Sequence, residues 1–167
     1  LRPNIKETRV TLSSEAERPP SRIPWPPLLF IAVIVGGRAL DHLLPMLPVP
    51  ALPAHLAGAL LVALGLATDA WCALTLRRHN TTILPHRAVA ALVTSGPYRY
   101  SRNPIYICEL ALTLGCGLLL RSPAIVMLTP LLLFALTKLA IEPEERHLRA
   151  KFGREFERYA AQTPRWL

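Results

Sequence analysis

The chain has 167 residues, of which 51% are hydrophobic, with a mean hydropathy of +0.32 and a formal net charge of +8. That length suggests one domain. The clustering of its apolar residues excludes an ordinary soluble globule, because three runs reach about 20 residues with few charges, enough to cross a bilayer core of roughly 30 Å.

Placement of the positive charge argues against nucleic acid. Lys and Arg number five in residues 1–22, one at Arg38, five in 77–102, one at Arg121 and seven in 138–167. Basic segments alternate with poor ones across four apolar spans, the pattern of a membrane protein with both termini cytoplasmic. The expected fold class is all-α: an integral membrane helical bundle of about four transmembrane helices plus a C-terminal amphipathic cytoplasmic helix.

Residues 1–27 read as a disordered cytoplasmic tail, because Arg18-Pro19-Pro20-Ser21-Arg22 and Pro24-Trp25-Pro26-Pro27 cannot continue a helix. Residues 1–24 carry no apolar run of the kind a secretory signal has. The domain proper is expected over 28–167. Its first span covers about 28–44, with Arg38, Asp41 and His42 at the outer water interface. Pro45, Pro48, Pro50 and Pro53 make the first outer loop.

The second span covers about 54–76. Gly58 and Gly65 lie seven apart in it, a spacing of small residues that lets helices approach closely in lipid. Asp69 also falls inside this span, and a carboxylate there calls for a partner or a polar cavity. The third span covers about 103–120, with Asn103 expected to accept a bond from the first free N–H groups and Pro104 at the next position. It carries Glu109. Arg121-Ser122-Pro123 is a tight outer hairpin to the fourth span, about 124–141, where Pro130 is expected to kink the helix. The last segment, 143–162, places Leu148, Phe152, Phe156 and Tyr159 on one helix face, an amphipathic helix for the membrane surface. Cys72, Cys108 and Cys116 lie inside apolar spans without metal-ligand spacing and read as inert buried thiols, and no metal site is expected.

Chemistry concentrates in two polar elements between these spans. The first is Gly96-Pro97-Tyr98-Arg99-Tyr100-Ser101-Arg102-Asn103-Pro104-Ile105-Tyr106. It offers a glycine for close approach, tyrosine faces and hydroxyls, forked guanidinium donors and a helix N-terminus suited to an anion. The same residues also suit a basic loop with interfacial tyrosines. The second element is Glu144-Glu145. Two acids at a helix start either complement the dipole or accept hydrogen bonds from a ligand.

The first element resembles the G-x-Y-x-x-x-R-H-P-x-Y loop of the isoprenylcysteine carboxyl methyltransferase family, with Asn103 at the His position and Cys108 where a Gly often stands. Phospholipid N-methyltransferases carry a similar block. Glu144-Glu145, Leu148, Phe152-Gly153, Phe156 and Tyr159 resemble the family's E-E-x-x-L-x-x-x-F-G tail, and Arg77 to Pro85 resembles the segment that precedes the loop in bacterial members. The resemblance covers residues 55–167.

It implies a membrane methyltransferase that uses S-adenosylmethionine and acts on a lipid-like or small-molecule acceptor, in the bacterial inner membrane and surrounded by membrane lipids. The implied cofactor-binding residues are His79, Pro85, Val93, Gly96, Pro97, Tyr98, Arg102, Asn103, Pro104, Tyr106, Glu144 and Glu145. Arg102 and Tyr106 are the implied catalytic pair, and Arg77 and Arg78 stand at the pocket edge. Methyl transfer from a sulfonium needs little acid–base help, so positioning and desolvation supply most of the acceleration. Without an evident His-Asp base, a carboxylate or thiolate acceptor is favoured over an amine. A non-catalytic membrane subunit and a nicotinamide-dependent reductase of a related bundle are the alternatives.

Overall fold

Two prolines in its first turn do not stop helix α1, Trp25–Leu43, because the N–H groups that proline lacks are unused there. The computed structural model describes residues 25–43, 51–79 and 91–167. Most of the expected tail, Pro45, Pro48 and Pro50 of the outer loop, and Pro85 lie outside them. Helix α2, Ala51–Arg78, takes Pro53 into its first turn for the same reason, where a loop residue was expected. Then come a 3-10 turn at Gly96–Arg99, α3 at Pro104–Leu119 and α4 at Pro123–Leu136. A π turn at Thr137–Ile141 leads into α5, Glu142–Phe152, and α6 follows at Arg154–Gln162. Among the described residues there is no strand.

α3 is the central helix and packs on α2, α4 and α1. A Cβ added to Gly58 would lie 2.8 Å from the Gly115 carbonyl, so the α2 and α3 backbones touch, as the glycine spacing predicts. Ile125 of α4, fully buried, fits between Gly37 of α1 and Gly117 of α3. The α3–α4 hairpin closes with the Ser122 N–H on the Gly117 carbonyl at 2.8 Å. Ser122 Oγ and Asp41 Oδ1 then accept from the N–H groups of Ile125 and Ala124, each at 3.1 Å. Asp41 therefore caps a neighbouring helix, and Arg38 holds it at 3.2 Å.

The exterior is apolar. Leu52, Leu56, Leu60 and Leu64 of α2, with Met127, Leu131 and Phe134 of α4, are exposed. α1, α2 and the joined α4–α5 helix are each long and apolar enough to cross a membrane, and α3 is a shorter apolar helix. The chain is an all-α integral membrane bundle.

The expected C-terminal helix needs two corrections. It does not begin apart from the fourth span, because the chain stays helical through Pro143. In a plain α-helix the Pro143 ring would crowd the Leu139 carbonyl. The π turn, closed by the Glu142 N–H on the Thr137 carbonyl, widens the helix just before it. Nor does the helix run unbroken to residue 162. Gly153 adopts φ +51 and ends α5, so Leu148 and Phe152 stay half-buried while Phe156 and Tyr159 turn inward on α6.

Candidate active site

The loop that carries the first polar element, Gly96 to Tyr106, is fastened first to α2. Gly96 has φ +61, and a Cβ there would lie 2.7 Å from Thr75 Oγ1. Only glycine accepts both conditions. The space expected for a ligand's approach is thus taken by α2. At the loop's start His79 Nε2 and Ser95 Oγ hydrogen-bond at 2.8 Å.

A strap after α6 holds the other side of the loop. The Arg102 N–H donates to the Pro164 carbonyl at 2.9 Å. Ser101 Oγ and Asn103 Nδ2 both donate to the Arg165 carbonyl at 3.1 Å. Tyr159 Oη donates to the Tyr98 carbonyl at 2.6 Å. Asn103 starts α3 but makes no side-chain cap, against expectation, because its amide is engaged with the strap. Trp166 packs against the cluster of Tyr106, Leu132, Leu136, Ala140 and Ile141.

The two motif arms meet here. Glu145, 6% exposed, is paired by Arg102 Nη1 at 3.1 Å and by Arg165 through two bonds. Glu144 accepts from Tyr106 Oη at 2.9 Å through Oε2. Arg102 Nε is buried and has no hydrogen-bond partner among the described residues. Burial, reinforced by nearby charge including that of Glu144, pushes the Tyr98 hydroxyl far above its usual range, so it stays protonated at physiological pH. Burial pushes the Tyr159 hydroxyl up to about 12 against the opposing Arg102 charge.

Of the residues that the motifs single out, Tyr98, Arg102, Tyr106, Glu144 and Glu145 come together. Pro104 opens α3 beside them. Val93 and Pro97 are buried, Gly96 faces α2, Asn103 faces the strap, and His79 is exposed at the loop's start. Arg77 and Arg78 are exposed. Sequence reasoning missed Ser101 and Arg165. No spacing or periodicity ties Arg165 to an acid twenty residues earlier.

Residues 53–155 match the family described as phospholipid methyltransferase. The chain is 37% identical over 109 residues to the cobalt-zinc-cadmium resistance protein CzcN of Cupriavidus metallidurans, covering 64% of this chain and 45% of that protein. It is 34% identical over 94 residues to the nickel-cobalt-cadmium resistance protein NccN of Alcaligenes xylosoxydans xylosoxydans, covering 56% of this chain and 40% of that one. The chain thus spans less than half the length of these curated relatives. No solved structure matches. The family match runs from the first turn of α2 into α6 and includes both arms of the site, while α1 and Arg165 lie outside it. With more than half its residues matched, and with the bundle and the paired motif arms in place, the chain belongs to the phospholipid methyltransferase family.

Proposed function

We propose that the chain transfers a methyl group from S-adenosylmethionine to a lipid-like or small acceptor, a carboxylate, thiol or amine, at the cytoplasmic side of the bacterial inner membrane, with both termini cytoplasmic. Family membership supports methyl transfer. One observation supports the cofactor: Arg102 Nε is a buried donor without an acceptor among the described residues, and it lies among groups that suit a zwitterion.

The residues present fit that cofactor, which supplies an electrophilic methyl on a positively charged sulfur. Arg102, fixed through Nη1 to Glu145, keeps Nε for a carboxylate. Glu144, oriented by Tyr106, suits an amine or hydroxyl. Trp166 and the apolar cluster under Tyr106 exclude water, which strengthens these contacts. Arg102 and Tyr106 orient and enclose the reacting groups, and neither has to move a proton.

Titration of the purified chain in detergent with S-adenosylmethionine or its demethylated product tests this reading. Saturable binding is expected, lost on Arg102→Ala and weakened on Glu144→Gln. Wild-type protein that binds NADPH instead points to the reductase, and one that binds no nucleotide points to the non-catalytic subunit. A setting in metal resistance is a second proposal, carried by the names of the two relatives. Deletion strains no more sensitive to cobalt, zinc or cadmium than the parent refute it.

A further inference from the structure

One carboxylate sits between two guanidinium groups in the site. Glu145 Oε1 accepts from Arg165 Nε at 3.1 Å, and Glu145 Oε2 accepts from Arg165 Nη2 at 2.7 Å. Arg102 reaches the same acid through Nη1 on Oε1, also at 3.1 Å. The two forks are used unequally: Arg165 takes both oxygens, and Arg102 shares one of them.

An arginine and a carboxylate left to themselves favour two parallel bonds. Arg102 is the more buried of the two guanidinium groups, with a side chain 15% exposed against 34% for Arg165, so an unmade bond costs it more. A two-bond pairing of Arg102 with Glu145 through Nε would consume the donor that has no hydrogen-bond partner among the described residues. Arg165 prevents that pairing, because it already fills Oε2 and shares Oε1. Charge points the same way. Two guanidinium groups face one carboxylate in this trio, so positive charge is left over beside the free donor. Glu144, next in the chain, is turned to Tyr106 Oη.

The strap fixes the other end of Arg102 as well. The Arg102 N–H donates to the carbonyl of Pro164, the residue before Arg165. Ser101 Oγ and Asn103 Nδ2, on either side of Arg102, donate to the Arg165 carbonyl. One short segment thus sets both where Arg102 stands and how its guanidinium is paired.

We propose that Arg165 is a positioning residue for cofactor recognition: by occupying Glu145 with its own fork, it keeps Arg102 Nε free for the cofactor carboxylate. Arg165 acts through Glu145 and does not itself touch the cofactor. The inference rests on the reading of S-adenosylmethionine as the cofactor, and it adds a residue that lies outside the matched family segment.

The test titrates the full chain in detergent with S-adenosylmethionine and with its decarboxylated analogue, which lacks the group that Arg102 Nε receives. The wild type is expected to bind S-adenosylmethionine about tenfold more tightly than the analogue, the worth of a hydrogen bond between charged groups. In Arg165→Ala, Glu145 is free to take Arg102 with two bonds. That variant is expected to lose the preference, binding S-adenosylmethionine about tenfold more weakly and the analogue almost as before. General loosening of the strap would weaken both ligands alike. Arg165→Lys, which cannot reproduce the fork, is expected to show an intermediate preference. Adding Glu145→Ala to Arg165→Ala removes the competing carboxylate and is expected to recover part of the preference, a rescue that a purely structural role does not give. The inference is overturned if the wild type binds S-adenosylmethionine without distinguishing it from the analogue, or if Arg165→Ala keeps the preference or weakens both ligands equally. Should Arg165→Ala not fold, Arg165→Lys decides, and a preference equal to that of the wild type overturns the inference. A wild type that binds neither ligand overturns the cofactor reading, and the inference with it.

Discussion

Arg165 grips Glu145 with two nitrogens, Nε to Oε1 at 3.1 Å and Nη2 to Oε2 at 2.7 Å, and so ties the end of the strap to the acid that opens α5. Glu145 also holds Arg102, so one carboxylate joins the loop, the helix and the strap. Arg165→Ala leaves Glu145 with Arg102 alone. Breaking a fully buried pair costs about 3–5 kcal/mol. Arg165 is 34% exposed at its side chain, so a smaller loss of about 2 kcal/mol is expected. Arg165→Lys recovers less than half, because an ammonium cannot reproduce the fork. Thermal unfolding in detergent measures both, and equal stability of the Lys variant and the wild type contradicts the bidentate account.

Gly96→Ala meets two separate penalties, a left-handed φ of +61 and a Cβ 2.7 Å from Thr75 Oγ1. The conformational part is about 1–2 kcal/mol, and the clash adds to it. Adding Thr75→Ala removes the clash but leaves the conformational part. The double variant is therefore expected to be more stable than Gly96→Ala alone and less stable than Thr75→Ala alone. Additivity of the two single effects rules out the contact.

Gly58 and Gly36 are both helical glycines with opposite expectations. A side chain at Gly58 meets the Gly115 carbonyl, whereas among the described residues nothing lies within 4 Å at Gly36. Gly58→Leu is expected to pry α2 from α3 and abolish the folded, monodisperse protein. Gly36→Ala is expected to be neutral or stabilising by up to about 1 kcal/mol through helix propensity. Size-exclusion profiles and melting temperatures separate the two, and equal behaviour removes the basis for the close α2–α3 approach.

Tyr106→Phe removes a hydrogen bond that orients Glu144 while keeping the ring against Leu132 and Leu136. A bond to a charged group is worth about 1.5–3 kcal/mol. The melting temperature is expected to fall with that lost bond, and cofactor affinity to drop as well, about tenfold, because Glu144 is no longer oriented. A stability loss with unchanged affinity assigns the tyrosine to packing alone.

Much of the bundle was legible before any coordinates. Four apolar runs separated by basic segments define the helices, because hydropathy and length are local properties of the chain. The Asn103-Pro104 start of α3, the hairpin at Arg121-Ser122-Pro123 and the close approach at Gly58 are local too. The two arms of the site were legible as motifs, and the structure brings Arg102 to Glu145.

What only the tertiary structure decided is which group each polar atom meets. Asn103 has an amide that can cap a helix or reach the strap, and the nearness of the Arg165 carbonyl settles it. Pro143 looks like a stop, yet the π turn before it carries the helix through. Asp41 and Ala124, 83 residues apart, meet because α1 packs on α4. Side-chain polarity and helix period are written residue by residue along the chain. Partner choice depends on distances between segments, and those arise only when the helices pack.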